Sequence, residues 1–246
     1  MEGNNRNHLG QHFLIDFRII SKIIDSCNVG NNDVVLELGT GFGYLTKEIS
    51  TLTKAVYSYE IDSELYSKAK KYLANNANVK IYNEDFFARE HFAFDFFLTN
   101  MPYSRSKDIV KWLTFHEFRE AVVMVQKEFS DKIMSSPGDK NYSLISVLSQ
   151  YCFDIEPLFD VEKSSFLPPP KIQSKVLRLR KRKIKITQDI IKWLEYIFNN
   201  RNKNISSLFS INEYGSKKIH QLNVEALIKL CNRLTASKNP DHNQLK

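Results

Sequence analysis

Short apolar runs alternate with segments of helical periodicity through the first half of the sequence, and this alternation restricts the fold more than any other feature. It predicts a parallel sheet covered by helices, with right-handed crossover connections. The predicted strands are DVVLELG (33–39), AVYSYEID (55–62), NVKIYNED (78–85), FDFFLTN (94–100) and AVVMVQ (121–126). Between them, YLTKEISTL, SELYSKAKKYLA and KDIVKWLTF carry apolar residues at helical spacing, and a further helix is predicted over residues 17–27.

The second half of the chain changes character. YSLISVLSQY is compatible with a helix, while CFDIEPLFDV and KVLRLR predict later strands. They are joined by SSFLPPPKIQS, in which three prolines exclude a helix. After KRKIKI, two amphipathic helical patterns follow, QDIIKWLEYIFNN and VEALIKLCNRL. We therefore predict an α/β domain over residues 1–182 and a small helical domain over residues 183–246.

Charge is distributed unevenly along the chain. The formal net charge is +7, but residues 1–170 hold 18 Lys and Arg against 23 Asp and Glu, while residues 171–246 hold 17 against 5. Basic side chains release counterions when they neutralise phosphates, so a polyanion is the expected partner of the C-terminal part. Nucleic acid is favoured over the alternative, a solvated basic surface.

The cysteine pattern and the absence of long apolar runs argue against a disulfide-linked, a metal-stabilised and a membrane-spanning protein. Cys27, Cys152 and Cys231 are far apart and show no ligand spacing, which argues against disulfides and against a structural metal site. No apolar run approaches the roughly 18 residues of a membrane helix, and the first residues lack a signal-peptide pattern. The sequence predicts a soluble cytoplasmic protein.

Three successive predicted strands end in residues suited to binding a nucleoside. The first ends in ELGTGFG, where glycines permit a sharp turn and close approach of a ligand to the backbone. Glu60 ends the second strand, 19 residues after Gly41, where a carboxylate can accept from both ribose hydroxyls. Asp85 ends the third and could accept from an adenine amine. Each feature alone also fits an ordinary turn or cap, but together they predict an adenosine-containing cofactor.

The fourth strand ends in LTNMPYSRS (98–106), beside the same edge. The side-chain oxygen of Asn100 and the backbone carbonyl of Met101 can both accept hydrogen bonds from an adenine N6 amine. Pro102 would fix the backbone between these acceptors and Tyr103, whose ring offers a stacking surface for an extruded base. An ordinary turn is the alternative, since Asn and Pro are common turn formers.

Several motifs together resemble the rRNA adenine N6,N6-dimethyltransferase family, which includes the small-subunit dimethyladenosine transferases (KsgA type) and the macrolide-resistance methyltransferases. They are ELGTGFGYLT, YEID, NEDFF, NMPY, QKEFSDKI, PGDKNYSLISVLSQY and FLPPPKIQSKVLRL. The similarity covers residues 8–180. It implies a seven-stranded methyltransferase sheet, S-adenosyl-L-methionine (SAM) as the methyl donor, and two successive methylations of an RNA adenine.

The resemblance also implies roles for individual residues. LGQHFLID is similar to the family's N-terminal motif and would place His12 and Leu14 against the cofactor. Gly39 would lie along the methionine part and Asn100 between donor and acceptor. The predicted cofactor contacts are His12, Leu14, Gly39, Gly41, Glu60, Ile61, Asp85, Phe86 and Asn100. The predicted catalytic residues are Asn100, Met101, Pro102, Tyr103 and Phe166, with Phe166 facing the target base opposite Tyr103.

Two segments depart from the family pattern. SRSKDI supplies Arg105 and Lys107, which either contact phosphate or cap the next helix, and FNNRNKNISSLF retains Arg201 and Lys203 of the family's basic cluster. The predicted RNA contacts are Arg105, Lys107, Lys181, Arg182, Lys183, Arg201 and Lys203.

The leading functional hypothesis is a monomeric enzyme that dimethylates small-subunit rRNA, either as free RNA or in an assembly particle. One alternative methylates a large-subunit adenine and confers macrolide resistance. Another is an RNA-binding assembly factor that has lost catalysis. A nicotinamide-dependent oxidoreductase shares the glycine turn and Glu60, but it leaves NMPY and the basic C-terminal part unexplained.

Overall fold

The computed structural model describes residues 12–88, 90, 92–209 and 211–237. Within these residues the chain forms two compact units. The first takes the chain up to residue 109 with residues 116–130 and 154–181, and the second takes residues 110–115, 131–153 and the chain from residue 182. The second unit's last segment thus begins at residue 182, beside the predicted boundary, and the unit also includes two earlier segments. The predicted division into domains at residues 182 and 183 stays a prediction.

The strands lie close to the predicted positions. They are β1 (Phe13–Leu14), β2 (Val34–Leu38), β3 (Ala55–Tyr59), β4 (Val79–Tyr82), β5 (Phe96–Asn100), β6 (Glu120–Gln126), β7 (Phe153–Val161), β8 (Phe166–Leu167) and β9 (Ser174–Lys181). β1 and β8 pair with each other in an antiparallel ribbon, Phe13 opposite Leu167 and Leu14 opposite Phe166. The short pair at residues 13–14 and 166–167 was not predicted, because two-residue strands carry no periodic signal.

The helices of the described residues also follow the predicted pattern. They are α1 (Phe17–Asp25), α2 (Tyr44–Ser50), α3 (Ser63–Tyr72), α4 (Ser106–Thr114), α5 (Lys127–Ile133), α6 (Leu144–Cys152), α7 (Gln188–Asn199), α8 (Ile205–Phe209) and α9 (Val224–Ala236). Asp16 and Asp62 begin α1 and α3, because each carboxylate accepts from backbone N–H groups of the first turn. None of the described helices combines the length and apolar character needed to cross a lipid bilayer.

Seven strands form one sheet in the order β4-β3-β2-β5-β6-β9-β7. The pairs from β4 to β6 are parallel, and β9 joins β6 in antiparallel register. Phe96, Phe97 and Leu98 of β5 are fully buried, so the central strand is covered on both faces, as a parallel sheet with helices on either side requires. The predicted α/β fold with a seven-stranded sheet is confirmed. Because β2 to β5 are parallel, their carboxyl ends lie at one edge.

In the second unit, α6, α7 and α9 pack against one another. Their buried residues lie at helical spacing, including Ile190, Ile191, Leu194 and Ile197 of α7. α9 buries Leu227 and Cys231 completely. The helical patterns predicted for this part of the sequence are therefore confirmed.

Candidate active site

A cavity of about 280 Å³ opens at the carboxyl edge of the parallel strands, in the first unit. Its volume is near the lower end of the range for small-molecule sites, roughly 300–1,000 Å³. Every residue predicted to contact the cofactor lines it: His12, Leu14, Gly39, Gly41, Glu60, Ile61, Asp85, Phe86 and Asn100. Met101, Pro102, Tyr103 and Arg105 line the same cavity. The fold thus brings the ends of β2, β3, β4 and β5 to a single site.

The glycine turn after β2 requires glycine for two different reasons. Gly43 has φ +84° and a Cβ at this position would lie 3.0 Å from Leu73 Cδ1, so a side chain there would strain the backbone and would require the Leu73 side chain to shift. Gly39 has φ +85°, but a Cβ there would meet no atom within 4 Å. Since Gly39 lines the cavity, its bare backbone leaves space that a ligand can approach.

Glu60 connects the end of β3 to this turn. Its Oε2 accepts from the Gly41 N–H at 2.9 Å, and its Oε1 accepts from the Asp62 N–H at 3.0 Å. Burial raises the pKa of the Glu60 carboxyl, while the N–H groups of Asp62 and Gly41 oppose that rise. Each oxygen retains a second lone pair, so the carboxylate can hold the turn and still accept from ligand hydroxyls.

Asp85 lies at the rim of the cavity, with its side chain 42% exposed. Its Oδ1 accepts from the Phe87 N–H at 3.0 Å, and its Oδ2 lies 4.0 Å from Arg105 Nη1. Phe86 is buried beside it and Ile61 is exposed. The position fits a contact to the base of a nucleoside whose ribose lies on Glu60.

At the end of β5, the Asn100 amide is held in one orientation. Its Nδ2 donates to the His12 carbonyl at 3.1 Å, which leaves Oδ1 as an acceptor, and none of the described residues donates to it. Met101 is buried, and its N–H donates to the Met124 carbonyl at 2.9 Å, which fixes the following peptide. Pro102 is exposed and lies between Met101 and Tyr103. The two predicted acceptors, the Asn100 side-chain oxygen and the Met101 backbone carbonyl, therefore belong to consecutive residues that are held in place at the cavity.

The Tyr103 side chain is fixed at its far end. Its hydroxyl lies 3.0 Å from the Ser174 hydroxyl, and Ser174 is fully buried at the start of β9. Burial raises the pKa of Tyr103, and the hydrogen bond to Ser174 opposes that rise. The residue pair was not predicted, because Ser174 is 71 residues away in sequence and a lone serine gives no signal.

Leu14 and Phe166 belong to the hydrophobic core of the first unit. Phe166 is only 2% exposed and does not line the cavity, whereas Leu14 does. The strand pairing places both side chains on the same, inner face of the ribbon. The predicted stacking of Phe166 on a target base stays a prediction.

Arg105 has defined partners among the described residues, whereas Lys107 has no hydrogen bond or ion pair with any of them. The Arg105 guanidinium lies 4.4 Å from the centre of the Phe87 ring, and its Nε donates to Asp108 at 3.1 Å. Lys107 is exposed on α4. Arg105 thus forms part of the cavity wall, and both alternatives considered above for it, a phosphate contact or a cap on the next helix, stay predictions.

The remaining basic residues predicted to contact RNA do not line the cavity. Arg201 donates to the carbonyls of Lys140 and Asp139 at 3.2 and 3.4 Å, so it holds the PGDKNYS segment within the second unit. Arg182, Lys183 and Lys203 are exposed, and Lys181 is partly exposed with its Nζ 6.0 Å from the centre of the Phe118 ring. Their role in RNA binding stays a prediction.

A buried polar network behind the glycine turn was also missed. Glu37 Oε2 accepts from the hydroxyls of Ser58 and Thr46 at 2.5 and 2.6 Å, and Ser58 continues to Thr40, which lines the cavity. Burial raises the pKa of Glu37 to about 7, against the effect of these two hydroxyls. Glu37 is part of the ELGTGFG motif. The alternation of residues along the strand indicates that it lies on one face of the sheet, but it does not indicate which side chains contact it.

Aromatic side chains line the cavity as well. The Phe13 and Phe42 ring centres lie 4.8 Å apart, and Tyr44 lies 5.8 Å from Phe42. All three line the cavity, together with Phe87. Phe42 and Tyr44 lie in GFGY, Phe87 lies in NEDFF and Phe13 lies in LGQHFLID, so their position inside the motifs was the signal that could have identified them.

The family model described as ribosomal RNA adenine dimethylase matches residues 2–242. A ribosomal RNA small subunit methyltransferase A from Thermotoga neapolitana is 34% identical over 235 residues, which cover 92% of this chain and 90% of the relative. A protein of the same description from Mycoplasmopsis synoviae is 34% identical and covers 89% and 87%.

Two solved structures extend the similarity to the fold. A dimethyladenosine transferase from Plasmodium falciparum superposes with a TM-score of 0.83 at 25% identity, covering 92% of this chain and 98% of that one. The 23S rRNA methyltransferase ErmE gives a TM-score of 0.70 at 26% identity, covering 91% and 99%. These matches confirm the family inferred from the motifs and the methyltransferase class that follows from it: the chain belongs to the ribosomal RNA adenine dimethylase family.

Proposed function

We propose that this protein transfers two methyl groups, one after the other, from SAM to the N6 amine of an adenosine in small-subunit rRNA. The observation that carries the proposal is the Asn100 amide, whose oxygen receives no hydrogen bond from the described part of the chain, at the cavity that Glu60 and Asp85 also line. Family membership supports the reaction type, and the relatives described as small-subunit methyltransferases support the substrate.

The residues at the cavity fit SAM. Glu60 would accept from the ribose hydroxyls, Asp85 would accept from the adenine amine, and the open backbone at Gly39 would leave space for the methionine part. When bound, SAM supplies a methyl group on a positively charged sulfur. The aromatic rings of Phe13, Phe42 and Tyr44 would exclude water from the cavity.

The acceptor amine is a poor nucleophile, because its lone pair is delocalised into the adenine ring. Asn100 Oδ1 and the Met101 carbonyl would accept its two N–H bonds and hold the nitrogen in line with the methyl group. The nitrogen lone pair would take up the methyl group that SAM supplies, and the bonding electrons would stay on sulfur, which would leave as an uncharged thioether. Positive charge then develops on nitrogen beside two oxygen acceptors, and the proton leaves after the methyl arrives, so no general base is needed before attack.

The alternatives differ in substrate and in turnover. The similarity to a 23S rRNA methyltransferase keeps large-subunit methylation as the second candidate, although its TM-score is lower than that of the dimethyladenosine transferase. A silent binding factor would have no need of a fixed Asn100 amide, and family membership leaves the oxidoreductase without support. The monomeric state, the cytoplasmic location and the use of an assembly particle stay predictions.

The experiment is incubation of the protein with labelled SAM and with separately purified small and large ribosomal subunits that lack the modification. Label in dimethyladenosine of the small subunit supports the proposal, and label in the large subunit supports the resistance alternative. SAM binding without any label supports the binding factor.

The same assay tests Asn100. The Asn100→Ala variant should bind SAM normally but transfer methyl about 10²–10³-fold more slowly, the range for one lost preorganised dipole. Asn32→Ala, in an exposed turn outside the cavity, is the matched control and should retain the wild-type rate. Equal turnover by the Asn100 and Asn32 variants would refute the role of the amide.

A further inference from the structure

His12 makes three contacts, two of which reach Asn100 and Tyr103, the residues that would face the methyl acceptor. Its backbone carbonyl accepts from Asn100 Nδ2 at 3.1 Å. Its ring Nδ1 lies 2.8 Å from the Pro168 carbonyl oxygen, and its ring centre lies 5.6 Å from that of Tyr103, with the planes tilted by 32°. The motif resemblance assigns His12 to the cofactor, but His12 also contacts Asn100 and Tyr103, the first and last residues of NMPY.

We propose that His12 is a positioning residue for the methyl acceptor, which sets the orientation of Asn100 and supports the ring of Tyr103. This inference rests on the proposed function, because it assigns the cavity beside Asn100 to the target base. His12 does not touch the reacting atoms in this account, and it acts through its two neighbours.

The carbonyl of His12 decides which atom of the Asn100 amide is free. A carbonyl oxygen can only accept, so the end of the amide that faces it is the NH₂ group. Rotation of the amide by about 180° would place two acceptors against each other and would turn a donor toward the donor groups of the adenine amine. Such a pairing would leave the His12 carbonyl without the Asn100 donor and is therefore disfavoured. The productive orientation of Asn100 therefore depends on the position of residue 12.

The His12 ring keeps this carbonyl in place. The Pro168 carbonyl can only accept, so Nδ1 carries the proton of this hydrogen bond. The strand pairing of β1 with β8 holds Phe13 and Leu14, but it does not include residue 12. The hydrogen bond from the His12 ring to the Pro168 carbonyl extends the contact between the two strands by one residue. It thereby fixes the position of the His12 carbonyl, which accepts from Asn100.

The His12 ring also completes the support of Tyr103. Ser174 fixes the Tyr103 hydroxyl, which leaves the ring free to rotate about the axis through that hydroxyl. The His12 ring, at 5.6 Å and a tilt of 32°, restricts this rotation. A stacking surface for the target base would then be held at two points.

The test separates acceptor positioning from cofactor binding. His12→Ala removes the ring contacts to Pro168 and Tyr103, and His12→Asn retains a side-chain N–H that can donate to the Pro168 carbonyl. Ile15→Ala is the control, since Ile15 is exposed in the same segment and does not line the cavity. The measurements are the single-turnover methyl-transfer rate at saturating SAM and small subunits, and SAM affinity by calorimetry.

His12→Ala should transfer methyl about 10- to 100-fold more slowly, the scale of a misplaced catalytic group, with SAM affinity changed by less than about twofold. His12→Asn should recover most of the rate, and Ile15→Ala should match the wild type. A His12→Ala variant that binds SAM more weakly but reaches the wild-type rate at saturation would overturn the inference and make His12 a cofactor residue only.

A second measurement needs neither RNA nor turnover. The side-chain amide signals of Asn100 in ¹⁵N–¹H spectra, assigned by their loss in Asn100→Asp, should shift or broaden in His12→Ala and remain in place in Ile15→Ala. Unchanged signals would overturn the inference. If the wild type labels no rRNA, the proposed function fails, and these spectra still decide whether His12 orients Asn100.

Discussion

Replacement of Glu60 by Gln is the most direct test of how the cavity would hold a ribose. The wild-type carboxylate accepts from Gly41 N–H and Asp62 N–H, one on each oxygen. In Glu60→Gln, an NH₂ group replaces one oxygen and must face one of these N–H donors. Both the turn and the ribose hydroxyls then lose an acceptor. One hydrogen bond to a charged group contributes about 1.5–3 kcal/mol, which corresponds to about 10- to 150-fold weaker SAM binding.

Isothermal titration of SAM into the wild type and the variant measures this loss. Glu84→Gln is the matched control, because it makes the same change of charge at an exposed residue lining the same cavity. Unchanged affinity in Glu60→Gln would remove Glu60 from the ribose. Equal losses in both variants would assign the effect to the charge of the cavity instead of to the two hydrogen-bonding oxygens.

Two further changes test the network behind the turn and the role of Arg105. Burial raises the pKa of Glu37 from its ordinary 4.5 to about 7, so the fold favours the protonated carboxyl. The wild-type free energy of unfolding should therefore contain a contribution that falls by about 3 kcal/mol as the pH rises from about 4.5 to about 7 and then levels off. Glu37→Gln should lack this decline in denaturant unfolding at pH 5 and pH 8, and equal pH dependence in both proteins would contradict the assignment. Arg105→Ala should weaken SAM binding about 2- to 5-fold, the value of an exposed cation–π contact, through its place against Phe87 and Asp85, and it should leave the salt dependence of RNA binding unchanged. Lys107→Ala removes the same charge and is the control; a smaller salt slope with unchanged SAM affinity in Arg105→Ala would make Arg105 a phosphate contact.

The sheet and the cofactor edge could be predicted because their signals are local. DVVLELG, AVYSYEID and FDFFLTN carry their strand character and their functional ends in the same few residues. Parallel pairing then brings those ends together without further information. For this reason the residues predicted to contact the cofactor all line one cavity.

The side-chain contacts that the sequence did not predict join residues that are far apart in the sequence. Tyr103 and Ser174 are 71 residues apart, and His12 and Pro168 are 156 apart. A single serine or histidine does not indicate its partner. Phe166 is a different case: its motif predicts that it faces a target base, its side chain is 2% exposed in this structure, and the predicted contact stays a prediction. Burial depends on the neighbours that the whole fold supplies.

Three separate stretches of sequence build the second unit, and this has a consequence for attempts to divide the protein. A fragment starting at residue 183 would contain α7 and α9 but not α6, against which both of them pack. The apolar residues of those two helices that pack against α6 would be exposed to water, and we expect an isolated fragment to associate or precipitate. Segments of the second unit and strands of the sheet therefore alternate along the sequence, and a single cut at residue 183 does not separate α7 and α9 as a complete unit.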